Sequence, residues 1–377
     1  MRLWGENMKV LMILGHDPIY PYEDGRVIKE AQSIISLGHE VTIMNFSNIK
    51  KEEIYNKIKI KRVCPIEQPK NIVSKTIKKI LTLIFFIRKI LGTEIDVIHT
   101  HDFETLPYGV LTKLIKRKKL IYDTHELATG MNDTRLLIKY FVFLERYMIK
   151  FSDIVINANP ERGKLLKRMY KLKKAKMFVI RNFPDSFNEE IKPHEIIKDM
   201  DKKHIWLSMI STISEARPLK PFIEALKYNK NLRIIYFGGD GDKFLNIATK
   251  AGVLEQVKVV GYVNRNMLLK TLEYFDGSIV AFAQEPLNNK YCESNRVYEA
   301  LNSGNIIIAT PNPTLLFINE NKYGYNVWPN HKEIKNLYEK INKSEINKMK
   351  MNVAKIKNTY IWKKNLKFLK EIYGEYQ

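Results

Sequence analysis

"KVLMILGHDPIYPYEDGRVIKEAQSIISLGHEVTIMNF", residues 9–46, decides the architecture of this chain. It opens on KVLMILG, apolar almost without break, the mark of a strand covered on both faces. Residues 25–39 then carry Val27, Ile28, Ala31, Ile34 and Ile35 at helical spacing and stop at Gly38. EVTIMNF, residues 40–46, is the next strand. Strand, helix and strand in this order make a βαβ unit, whose parallel pairing requires a right-handed crossover.

Working outward, the pattern repeats. The spacing predicts a helix over 74–91, a strand over 96–101, a helix near 105–117 and a strand over 119–125. A helix at about 134–151, a strand at 153–159, a further helix and a strand at 176–184 follow. Residues 185–203 are charged, lack strong apolar periodicity and read as a linker. The alternation then restarts, with strands at 205–211, 232–239, 257–262, 277–283 and 305–310. Helices are expected between them at 218–228, 242–252, 264–274 and 295–303, and residues 361–377 read as a basic amphipathic helix. A chain of 377 residues exceeds one ordinary core. The expectation is α/β, with two Rossmann-like doubly wound parallel-sheet domains, 1–184 and 204–359.

The net charge is +22, and it is uneven. Residues 1–184 hold 34 Lys and Arg against 19 Asp and Glu, while residues 185–377 hold 29 against 22. Such an excess attracts phosphate-bearing partners, although a Lys-rich composition also arises without one. No helix-turn-helix or basic aromatic motif is present, so nucleic acid is not an expected partner. Cys64 and Cys292 stand far apart, which fits a reducing cytoplasm. The start lacks a signal-peptide pattern, and the longest apolar run, residues 80–87, is too short to span a bilayer. In 75–91, Lys75, Lys78, Lys79, Arg88 and Lys89 flank that run. The segment reads either as a peripheral anchor on an anionic membrane or as a helix buried between strands.

Ligands of parallel sheets bind beyond the carboxyl ends of the strands. The polar residues there are few: Asp24, Gly25 and Arg26; His101 and Asp102; His125 and Glu126. In the second half they are STISEARPLK with Arg217 and Lys220, the Gly238-Gly239 turn, and Asn295, Arg296 and Glu299.

Four stretches, GRVIKEAQSIISLGHEVTIM, DVIHTHDFETLPYGVLTK, LIYDTHEL and SNRVYEALNSGNIIIA, resemble the retaining family-four glycosyltransferases of the GT-B fold. The resemblance covers nearly the whole chain after Met8, in order. It implies two domains facing across a cleft, with residues 360–377 crossing back onto the first. It also implies metal-independent transfer from a nucleotide diphospho-sugar to a glycan or lipid-linked acceptor, and no cofactor. On this resemblance Glu299 holds the ribose hydroxyls, while Arg217, Arg296, Asn295, Lys220, Gly238 and Gly239 bind the rest of the donor. His101 sits by the reacting sugar, with Asp102 orienting its ring. Asp24, Gly25, Arg26, His125 and Glu126 form the loop beside diphosphate and acceptor. The chain departs from the family at Tyr291, where relatives carry a first glutamate; backbone amides of residues 287–291 are the expected substitute. Two other readings stay open, a sugar-nucleotide epimerase of the same fold and a basic nucleic-acid-binding protein.

Overall fold

The computed structural model describes residues 7–47, 52–63, 72–128, 136–185 and 190–374. Cys64, the side chain of Lys75 and linker residues 186–189 lie outside the described residues. The chain forms two compact units, Met1–Arg181 with Asn365–Gln377, and Asn182–Lys364.

In the first unit β1 (Lys9–Leu14), α1 (Gly25–Ser36) and β2 (Glu40–Phe46) form the βαβ unit, with β1 and β2 parallel. A hairpin that the sequence reading did not expect comes next: β3 (Glu53–Tyr55) and β4 (Ile58–Val63) pair antiparallel. Its turn residues, Asn56 and Lys57, have φ of 47° and 68°, the twist that two-residue hairpins favour. The unit continues with α2 (Ile72–Leu91), β5 (Val97–His101), α3 (Leu106–Lys116) and β6 (Lys119–Thr124). α4 (Leu136–Met148), β7 (Ile154–Asn157), α5 (Pro160–Tyr170) and β8 (Lys176–Val179) complete it. The strand order is β3-β4-β2-β1-β5-β6-β7-β8. The connectivity reverses between β1 and β5, which opens a crevice at their carboxyl ends. α3 lies hard on β5 because residue 109 is glycine: a Cβ there would stand 2.2 Å from Thr100 Cγ2.

The second unit runs β9 (Ile205–Ile210), α6 (Lys220–Glu224), β10 (Leu232–Phe237), α7 (Gly241–Lys250), β11 (Val257–Val259) and α8 (Arg265–Leu272). β12 (Gly277–Val280), α9 (Leu287–Lys290), α10 (Asn295–Asn302) and β13 (Ile306–Ala309) follow. Last come α11 (Phe317–Glu320), β14 (Gly324–Asn326), α12 (His331–Lys340) and α13 (Lys343–Ala354). Its sheet, β11-β10-β9-β12-β13-β14, is wholly parallel. Leu207, Met209, Phe222, Leu232, Ile234 and Ile308 are in its core.

Two details differ from the sequence reading. The helix expected over 218–228 is α6 followed by a tighter turn over Ala225–Tyr228. From Glu190 onward the charged stretch is no free linker: Ile196 and Met200 pack on the cluster of Trp206, Ile235 and Phe237, and the His194 N–H donates to Thr271 Oγ1 at 2.9 Å. Apolar side chains one helical turn apart were enough to dock it. After the second unit, α14 (Leu366–Gly374) returns to the first, where Tyr373 Oη lies 2.9 Å from His99 Nδ1.

Candidate active site

The carboxyl ends of β1, β5 and β6 gather a buried polar cluster. Parallel register sets His101 directly beside Asp123, and both are buried, Asp123 completely and His101 with 2% of its surface exposed. A carboxylate inside an apolar strand needs a partner. Arg26, from the first turn of α1, supplies it by donating to both Asp123 oxygens at 2.9 and 2.8 Å. Arg26 Nε also lies 3.1 Å from Glu30 Oε1. His125 Nε2 stands 3.0 Å from His101 Nδ1 and 3.3 Å from Asp123 Oδ2.

Asp102 does not orient His101, as the sequence reading expected. At a φ of 64° its side chain turns to His125 Nδ1, 3.4 Å away, and Asp123 Oδ2 is the carboxylate facing His101 Nδ1, at 3.8 Å. His99 stacks on the other side of His101, with centroids 4.3 Å apart. Asp24 caps α1 by accepting from the N–H groups of Arg26 and Val27, both at 3.1 Å, and holds His16 Nε2 at 3.0 Å. From α5, Arg162 donates to the His125 carbonyl at 2.6 Å and meets Glu126 at 3.3 Å, pinning that turn.

The charges sort themselves by environment. Burial, reinforced by the neighbouring imidazoles, drives the His101 ring well below its usual range, so it is neutral. Burial also works against charge on His125, but Asp102 and Asp123 overcome it and raise the ring to about 9. Burial would lift the Asp123 carboxyl, yet the Arg26 guanidinium holds it well below the carboxylate range. Burial and the Asp123 charge push Glu30 upward, toward the neutral acid. Burial opposes ionisation of Asp24 too, while His16 and the Val27 N–H bring it down to about 2.

Among the described residues one group has metal-ligand proximity: Glu30, His99, His101 and Asp123, with ligating atoms within 4.8 Å of one another. The buried guanidinium of Arg26 already occupies its two carboxylates, so a divalent cation would enter beside an unshielded positive charge. Two Asp-x-Asp pairs occur, and three of their four carboxylates are otherwise engaged. Asp240 accepts from the Ile213 N–H at 2.8 Å, Asp199 pairs with Lys258 and Asp201 with His204.

In the second unit Glu299 is 1% exposed, and each of its oxygens meets a guanidinium: Arg265 at 2.9 Å and Arg296 at 2.6 Å. Ser294 caps α10 by accepting from the Arg296 N–H at 3.2 Å, and Asn295 is the first residue of that helix. The Arg217 guanidinium stands 4.1 Å above the ring of Phe282, which packs in one cluster with Val297 and Ala300 of α10. Lys220 is exposed and faces Glu224 of its own helix at 3.7 Å. Gly238 and Gly239 answer to packing: a Cβ would stand 2.5 Å from the Tyr236 hydroxyl or 2.8 Å from the Tyr262 ring. Of the backbone amides of residues 287–291, those of Asn289, Lys290 and Tyr291 donate within the α9 turn.

The family model for Glycosyltransferase Family 4 matches residues 26–186, the stretch holding Arg26, His101, Asp123 and His125. The match takes in most of the first unit and ends at residue 186, so it is the first unit that resembles that family in sequence. No curated protein matches the sequence of the chain. Sucrose-phosphate synthase from Thermosynechococcus elongatus aligns with a TM-score of 0.74 over 98% of this chain and 99% of that one, at 14% identity. HepE of Anabaena, solved with UDP and glucose, aligns at 0.69 over 98% and 99%, at 15% identity. WaaG, a glycosyltransferase involved in lipopolysaccharide biosynthesis, aligns at 0.67 over 96% and 99%, at 12% identity. At such identities the likeness is one of fold, and it extends to both units.

The structure brings Arg26, His101, Asp102 and His125 together, and separately Arg296 and Glu299. Three participants escaped the sequence reading. Asp123 carried a signal, a lone carboxylate in a strand that should be covered on both faces. His16 and Arg265 carried none, because their partners are eight and 34 residues away in sequence.

Proposed function

We propose that this protein is a glycosyltransferase that moves a sugar from a nucleotide diphospho-sugar to an acceptor hydroxyl, retaining the anomeric configuration. The observation that carries the proposal is Glu299, a buried carboxylate rimmed by guanidinium groups that are 42% and 38% exposed. Ribose hydroxyls can replace one guanidinium on that carboxylate, since an ionised carboxylate accepts several O–H donors. The displaced guanidinium is then free for the diphosphate, which gains charge as the bond to the sugar breaks.

In the reaction the bond from the anomeric carbon to the diphosphate oxygen breaks, and the acceptor oxygen bonds on the same face. The acceptor proton passes to the departing phosphate oxygen, so the products are a glycoside and a nucleoside diphosphate. His101 positions the transferring sugar. Its neutral ring adds no repulsion to the positive charge developing at the anomeric carbon. Arginines supply the counter-charge, so the proposed step needs no metal.

The acceptor we propose is a lipid-linked or surface-polysaccharide precursor met at the inner face of a membrane. α2 supports this reading: Ile77, Ile80, Leu83 and Ile84 are exposed, while Phe86 and Ile90 turn inward. The alternative of a fully buried helix therefore fits only its inner side. No helix among the described residues is long and apolar enough to cross a membrane.

A thermal-shift screen across UDP-, GDP- and ADP-sugars tests the donor site, because a ligand of the native state raises the melting temperature by mass action. One base class should stabilise the protein, and Glu299→Ala should remove that shift. A screen in which no nucleotide sugar moves the melting temperature overturns the proposal. Anomeric retention is read from the product by NMR.

A further inference from the structure

α4 carries an outward stripe that neither donor nor acceptor chemistry uses. Tyr140, Phe143, Tyr147 and, one turn beyond the helix, Phe151 are each 48 to 58% exposed. The helix cannot roll to hide them. On its inner side Glu145 accepts hydroxyl hydrogen bonds from Tyr122 and Tyr170, both at 2.6 Å, and Ile149 is buried. A helix on the surface of a water-soluble unit turns polar residues outward. Outward aromatic rings beside basic residues, here Lys139, Arg146 and Lys150, belong at a bilayer interface.

The stripe leads into a basin of about 570 Å³ at the amino ends of β6, β7 and β8, the end of the sheet opposite His101. Phe151 lines it, together with Lys113, Lys119, Lys150, Lys174 and Lys176 around one carboxylate, Asp153. Asp153 pairs with Lys113 at 2.7 Å and faces Lys119 at 3.6 Å. Five ammonium groups against one carboxylate leave the lining strongly positive, and converging like charges favour an anionic occupant.

We infer that the aromatic stripe and the lysine basin dock this unit on an anionic bilayer, the rings entering the headgroup layer and the lysines taking phosphate groups of the lipid heads. The site extends the membrane reading of α2 and stands apart from the donor site, so each can fail alone.

Flotation of the full chain with phosphatidylcholine vesicles, with and without phosphatidylglycerol, tests it. The wild type should float with the anionic vesicles only. Lys150→Gln with Lys174→Gln, both exposed positions, should cut that partitioning about 25-fold, since each basic side chain near an anionic leaflet contributes roughly five-fold. Phe143→Ser with Phe151→Ser should weaken it at unchanged melting temperature. Ile80→Glu with Ile84→Glu reports on α2 separately, and the nucleotide-sugar thermal shift should survive in all three. The inference is overturned by a lysine variant that floats like the wild type, or by equal binding to neutral vesicles. It is also overturned if millimolar inorganic phosphate alone releases the protein, which marks a site for free phosphate. Dissociation of a wild-type dimer by the phenylalanine variant in light scattering, marking a protein partner, overturns it as well.

Discussion

The two units share a parallel 3-2-1-4-5-6 strand order, to which the first adds the edge strands β3 and β8, and they place their charge in opposite ways. In the first, Arg26 and Asp123 pair out of water, with His125 and Asp102 beside them at 15% and 29% exposure. In the second, the carboxylate of Glu299 is buried but its guanidinium partners stay partly in solvent. A closed set of buried charges holds geometry, because removing one member strands another. A carboxylate with exposed counter-ions can trade them for a ligand at little reorganisation. Under the proposed function, this difference would have the first unit orient the reacting groups and the second recognise the nucleotide sugar.

That contrast can be broken most directly at Asp123. Asp123→Ala should destabilise the first unit by about 3–5 kcal/mol, the usual consequence of leaving a buried charge unpaired. Urea unfolding followed by probes in each unit would show the loss confined to the first; an unaltered transition would mean that Arg26 is not held as described.

Function should divide along the same line. His101→Ala is expected to lower kcat about 100-fold with KM little changed, the scale of a misplaced reacting group. Arg265→Ala should instead act mainly on donor KM, by roughly ten-fold, as loss of one charged hydrogen bond does. If both variants shift the same parameter, the division of labour is wrong.

A pH series sharpens the comparison further. The His125 ring is raised from 6.5 to about 9 in the folded protein, so its charged form contributes stability in full below pH 6.5. That contribution is lost as pH rises through 9. The melting temperature should therefore decline over this window, and His125→Gln should flatten the decline.

The smallest effect belongs to Asp24. Removing the cap in Asp24→Ala should cost about 1 kcal/mol, as for other helix N-caps. Calorimetry can resolve it, and a neutral outcome would show that His16 and water suffice at that helix end.

The two parallel sheets were legible because buried strands and amphipathic helices leave periodic traces in the residues themselves. Residues 9–46 fold as they read, and so does the segment from Asn295 to Ala309. The β3–β4 hairpin was less visible, since its strands are short and half charged, although the Asn56-Lys57 turn was a usable cue. The docking of residues 190–203 was not legible at all. Two apolar side chains, Ile196 and Met200, decided it against a charged background.

The sequence by itself determined where the polar residues fall along each strand and helix, because side-chain periodicity and chain connectivity follow from local covalent geometry. It thereby placed His101, His125 and Glu299 at strand ends or helix starts. Which of them are charged, and what faces what, only the tertiary structure decided. Asp102 turned from His101 to His125, Asp123 took Arg26 from 97 residues away, and Arg265 reached Glu299 from another helix. Burial and Coulomb terms depend on distances through space, and sequence separation does not encode those.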